Sequence, residues 1–144
     1  MRISDVLRVK GGQVVTVPPD ADVEHLLNVL AEHRIGAVVV SADGTTVDGI
    51  VSERDIVRAL AERGPAVISE PVTAIFTADV YTVDLDAQLE DLMRIMTERK
   101  VRHLPVVVDG VLAGIVSIGD VVKKRIDELE GERSALTNYI SGGR

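Results

Sequence analysis

Apolar positions along this chain keep two alternating rhythms. Val23, Leu26, Leu27 and Leu30 follow the spacing i, i+3, i+4, i+7, and so do Leu89, Leu92, Met93 and Met96. That spacing gathers each set on one side of a helix, so it predicts two amphipathic helices with one buried stripe each. A short β-branched run precedes each helix, "VVTV" at Val14–Val17 and "VYTV" at Val80–Val83. Unbroken apolar runs follow, Ala37–Val40 and Leu104–Val108, with the length and composition of strands. An Asp-Gly pair comes next, Asp43-Gly44 or Asp109-Gly110, and then a second run ending in Gly-Ile-Val. Asp-Gly between apolar runs predicts a hairpin. A further helix is predicted from Ser52 and from Ser117. The first of these stops near Gly64-Pro65, because proline forbids its continuation.

The same order of elements therefore occurs twice. Residues Val15–Val40 lie over Tyr81–Val106 at a shift of 66, and the shift falls to 65 after the Asp-Gly pairs. One residue has been lost in the turn, where length changes cost little. Each copy reads β-α-β-β-α, about fifty residues, too few to bury a comfortable core alone. Two copies related by a pseudo-two-fold axis would share one. The segment between them, "PAVISEPVTAIFTADV", resembles the start of the chain, "MRISDVLRVKGGQVV", so a leader is repeated too. The expected organisation is residues 1–66, residues 67–127, and a helical tail over 128–144. The expected fold class is α/β of the α+β kind.

Composition narrows the function. The 144 residues are 46% hydrophobic but only 2% aromatic, so aliphatic side chains build the core and stacking platforms for single strands are lacking. A formal charge of −7 argues against nucleic acid and anionic membranes as main partners. There is no cysteine, which excludes disulfides, thiolate metal sites and thiol nucleophiles. His25, His33 and His103 show no metal-ligand spacing, and His25 and His33 read as solvent-facing. Gly11-Gly12 reads as a turn, since no phosphate-loop pattern surrounds it. No stretch approaches the ~20 apolar residues of a membrane helix, and no apolar core of signal-peptide length opens the chain. The expectation is a soluble cytoplasmic protein.

The chemistry concentrates in "GIVSERD", Gly49–Asp55, and "GIVSIGD", Gly114–Asp120. Ser-x-x-Asp after an apolar run is a capping box, in which serine and acid close the start of a helix. The same pair at a strand-to-helix corner can also hold the hydroxyls of a ribose. The two roles are compatible, because helix N-termini already favour phosphate.

These two motifs, the leaders "VVTV" and "VYTV", and "VRHLPVVVDG" at Val101–Gly110 resemble a tandem pair of CBS domains, a Bateman module. The likeness spans about residues 1–127 and is to the small stand-alone kind. It implies clefts between the repeats that take adenosine-containing ligands: AMP, ADP, ATP, NAD(H) or S-adenosylmethionine. Carried over by position, Asp55 and Asp120 hold the ribose, with Ser52 and Ser117 near ribose or phosphate. Thr16 and Thr82, with Ala37-Val38 and Leu104-Pro105, line the adenine pockets. Arg54, Arg102 and His103 meet phosphate. The copies differ: Gly36-Ala37 stands opposite Arg102-His103, and Glu53-Arg54 opposite Ile118-Gly119. The cationic equipment of the two sites is therefore unequal.

Three function classes follow. One is a regulatory module that senses the ligand and signals to a partner protein or to its own oligomer. Another is a small enzyme, for which no triad-like set accompanies either aspartate. The third is a structural oligomer with vestigial clefts. In the tail, Val122, Ile126, Leu129, Leu136 and Ile140 form an a/d-like stripe interrupted by Arg133. That stripe, with the pairing of such modules into disks, implies a homodimer. Gly131 weakens any single helix through it by ~1 kcal/mol.

Overall fold

The computed structural model describes residues 1–10 and 14–142. The Gly11-Gly12 pair lies outside the described residues. The chain runs α1 (Ile3–Lys10), β1 (Thr16–Val17), α2 (Val23–His33), β2 (Ala37–Val40), β3 (Gly49–Ser52) and α3 (Glu53–Arg63). Two short 3-10 turns, Pro65–Ser69 and Val72–Ala74, lead to α4 (Leu89–Arg99), β4 (His103–Val108), β5 (Val111–Ser117) and α5 (Ile118–Gly142). The fold is α+β: two repeats, each a small sheet with helices, and a long C-terminal helix.

In the first repeat β1 pairs parallel with β2, and β2 antiparallel with β3. In the second, β4 and β5 form an antiparallel hairpin. The expected strand at Val80–Val83 shrinks to a single parallel bridge, Val83 to Val106. Val83 donates to Pro105 O and accepts from Val107 N, at 3.0 and 2.9 Å. One step back along that ladder the donor would be residue 105, and proline has no N–H.

The hairpin turns differ as well. Asp109 and Gly110 both take positive φ, 50° and 78°, the backbone of a two-residue hairpin turn. In the first repeat eight residues, 41–48, separate β2 from β3, and Asp43 organises them instead. Its carboxylate accepts from Thr46 N, Thr45 N, Thr46 Oγ1 and Ser41 Oγ. Those donors, the Thr46 amide foremost, hold the Asp43 carboxyl well below the usual carboxylate range.

The helical stripes are narrower than the periodicity predicts. Val23, Leu26 and Leu30 are buried on α2, as are Leu89, Leu92 and Met96 on α4. Leu27 and Met93 turn outward, 37% and 38% exposed.

The leaders pack crosswise. Ile3, Val6 and Leu7 of α1 join the core of the second repeat, with Leu89, Leu92, Leu104, Val106 and Val116. Val67 and Val72 join the first, with Val17, Leu26, Val38, Val40 and Val51. The hydrogen bonds are reciprocal. Leu89 N donates to Met1 O and Val23 N to Glu70 O, both at 2.9 Å. Ile3 N donates to Ala87 O at 3.0 Å, and Val72 N to Ala21 O at 2.8 Å. Each leader thus supplies an acceptor for an orphan N–H at the start of the other repeat's helix. The packing boundary therefore differs from a cut in sequence after residue 66.

The Gly-Ile-Val-Ser glycines serve this exchange. A Cβ on Gly49 would lie 2.2 Å from Phe76 Cδ2, and one on Gly114 would lie 2.8 Å from Leu7 Cδ2. A leader side chain occupies the space that any larger residue would need.

Candidate functional site

Both Ser-x-x-Asp corners are closed capping boxes. Asp55 N donates to Ser52 Oγ at 3.3 Å, while Asp55 Oδ2 accepts from Ser52 N at 2.8 Å and Ser52 Oγ at 3.0 Å. Asp120 N donates to Ser117 Oγ at 3.1 Å, and Asp120 Oδ2 accepts from Ser117 N at 2.9 Å. The local reading of the motif is thereby accounted for. All four side chains are half-buried, so the corners also remain open to solvent. Asp55 uses only Oδ2 in these bonds, which leaves Oδ1 as an acceptor on the same carboxylate.

Each corner abuts the start of its own repeat's central strand. Ala37 pairs with Ser52, and His103 with Ser117. Glu53 N donates to Gly36 O at 2.9 Å, and Ile118 N to Arg102 O at 2.8 Å. The two strand starts also meet across the molecule, because a Cβ on Gly36 would lie 3.6 Å from His103 Cε1. Ser52, Asp55, Ala37 and His103 are thus brought to one neighbourhood, with Ser117, Asp120 and Arg102 beside it.

The other positions lie farther out. Thr16 pairs with Val39, whose partner on β3 is Ile50, so Thr16 is separated from Ser52 by a strand and two residues of register. Thr82 is exposed beside the Val83 bridge. Val38 and Leu104 are 1% exposed, with their side chains in the two cores. Only their main chain is available to line a pocket. Pro105 is buried too. Arg54 and Arg102 are exposed, and neither makes an ion pair among the described residues.

Glu53 joins this neighbourhood, and Arg99 stands beside the outlying Thr82. Glu53 Oε1 lies 3.3 Å from the position of a Gly36 Cβ, and so shares that small space with His103. Its counterpart in the second repeat is Ile118, so one corner carries an acid where the other is apolar. Arg99, at the end of α4, stacks over the Tyr81 ring at 4.3 Å and places a cation beside Thr82. The Glu53/Ile118 difference was visible in the repeat alignment. Nothing in the sequence pairs Arg99 with Tyr81.

Two concavities adjoin the corners from the helical side, one at Glu53 and the other at Ile118. One, about 480 Å³, reaches from Leu27 and Arg34 to Gly36 and Glu53. The other, about 280 Å³, lies between α4 and α5 and is lined by Met93, Met96, Ile118, Val122 and Ile126. Neither is lined by Asp55 or Asp120.

Comparison with known proteins agrees with this architecture. The CBS domain family matches residues 3–62 and 72–127. The chain is 34% identical over 149 residues to CBS domain-containing protein CBSX3, mitochondrial, of Arabidopsis thaliana, across 98% of this chain and 72% of that protein. Among solved structures, the CBS-domain containing protein ATU1752 from Agrobacterium tumefaciens superposes with a TM-score of 0.84 at 45% identity, over 87% of this chain and 99% of that one. The CBS domain protein PAE2072 from Pyrobaculum aerophilum, solved in complex with AMP, gives 0.74 at 30% identity, over 83% and 89%. Each of the two family matches holds one of the duplicated corners, and the chain belongs to the CBS domain family as a tandem pair.

Proposed function

We propose that this chain is a regulatory module that binds an adenine nucleotide, AMP, ADP or ATP, or the dinucleotide NAD(H), between its two repeats. The observation that carries the reading is the pair of half-buried Ser-x-x-Asp corners beside the strand starts. The AMP complex of PAE2072 supports the ligand class. In this reading Oδ1 of Asp55 and the Asp120 carboxylate accept the ribose hydroxyls, while Ser52 and Ser117 keep the corners closed. Thr16, Thr82, Ala37, Pro105 and the main chain at Val38 and Leu104 enclose adenine. Arg54, Arg102 and His103 meet the phosphates. The role is regulation and not turnover, since a corner of one serine and one carboxylate supplies ribose acceptors but no activated nucleophile.

The sites differ in affinity. Arg54 places a cation at one corner where Gly119 has none, and Arg102 and His103 stand at one strand start where the other has Gly36 and Ala37. A charge-assisted contact to phosphate contributes about 1.5–3 kcal/mol, roughly ten- to a hundredfold in Kd. Calorimetry with AMP, ADP, ATP and GMP should resolve two classes of site for adenine nucleotides. Asp55→Asn and Asp120→Asn should each remove a different one. No heat from any adenine nucleotide or NAD(H) at millimolar concentration, or equal binding of GMP, overturns the reading.

The module also pairs with a second copy. Exposed apolar side chains on four helices, Leu27, Val57, Met93 and Val122, support this, together with those farther along α5. Sedimentation of the full chain tests it.

A further inference from the structure

Helix α5 does not stop at the body of the fold. It continues unbroken through Gly131 to Gly142, and every residue from 130 to 142 is exposed. A lone helical stretch of about that length is marginal in water. Its apolar residues keep a seam all the same. Val122, Ile126, Leu129, Leu136 and Ile140 are 50%, 49%, 47%, 60% and 71% exposed. With Arg133 they fall at steps of four, three, four, three and four, the spacing of a coiled-coil seam. The seam opens onto the apolar groove between α4 and α5, because Val122 and Ile126 line both.

Charge along α5 is divided. Lys123, Lys124 and Arg125 form a basic block, and Asp127, Glu128, Glu130 and Glu132 an acidic one. A parallel pair would set like against like and would stack Arg133 on Arg133 in the seam. An antiparallel pair sets the basic block against the acidic one.

Resting on the pairing reading above, we infer that the second copy docks antiparallel along α5, its helical extension lying in the α4–α5 groove. Ile126 then faces Leu129 of the second copy, and the reverse. Lys123 and Arg125 flank the seam opposite Glu130 and Glu132. Val122 meets the aliphatic stem of Arg133, whose guanidinium reaches solvent at the rim.

The chain has no cysteine, so introduced thiols report alone. Ile126→Cys and Leu129→Cys are prepared separately, one carrying a mass tag, and are oxidised alone and as an equimolar mixture after subunit exchange. The mixed cross-linked dimer should predominate, with little self-dimer from either variant. Efficient self-dimers of Ile126→Cys, with a statistical mixture, would show a parallel pair and overturn the inference while leaving pairing intact. A full-length chain that sediments as a monomer at high concentration overturns both. Glu130→Lys should weaken the dimer about tenfold at low salt, since each exchange of attraction for repulsion occurs twice by symmetry. Lys123→Glu in the same chain should restore it, and failure of that rescue overturns the register.

Discussion

At Gly49 a methyl group has nowhere to go. Its Cβ would sit 2.2 Å from Phe76 Cδ2 and 2.7 Å from the Thr77 carbonyl oxygen, one of them backbone. At Gly114 the nearest atoms, at 2.8 and 2.9 Å, are the terminal methyls of Leu7, which can rotate aside. Gly49→Ala should therefore destabilise the fold by about 1–3 kcal/mol, in the range of overpacked cores. Gly114→Ala should cost clearly less. Urea denaturation decides it, and equal midpoints for the two variants would contradict the contact geometry. The serine and aspartate of the same motif were legible as a cap because their bonds span three residues. The glycine was not legible, because what excludes its side chain is a phenylalanine 27 positions later on the other leader.

The elements were legible where a local rule governs them. Ser52 caps α3, and Gly64 at φ 81° followed by Pro65 ends it, as turn chemistry requires. The shortened strand at Val83 was hidden, although its cause, Pro105, stood in plain view. A proline in a strand matters only once the neighbour on its N–H side is known. The length of α5 was hidden too, since Gly131 argues against a helix that nonetheless passes through it. Truncation after Asp127 removes Leu129, Leu136, Tyr139 and Ile140, all exposed, and leaves both cores intact. The shortened chain should melt within a few degrees of the parent at low concentration and should associate more weakly than the parent in sedimentation. A loss of cooperative unfolding would instead mean that the extension supports its own repeat.

Over the whole molecule, repeat count and approximate symmetry were legible from the sequence. The exchange of leaders was not, because two similar leaders fit either repeat on composition alone. Ile3 and Val72 are both fully buried, each in the core of the repeat other than the one directly after it. The two Ser-x-x-Asp corners thus belong to halves that hold one another's N-terminal segments.

Crossed leaders also make each half an incomplete object. Residues 1–66 carry α1 but none of the core it fills, and lack the Val72 and Phe76 that close their own. Residues 67–144 are deficient in the converse way. Produced alone, each fragment should remain largely unfolded. Mixed, they should reassemble into a soluble heterodimer with the parent's circular dichroism spectrum, a split protein divided at a seam the fold already contains. A fragment that folds alone would show that the exchange is ornamental. Reassembly would fit a history in which the unit first folded as an obligate pair, trading leaders between separate chains, and was later joined into one.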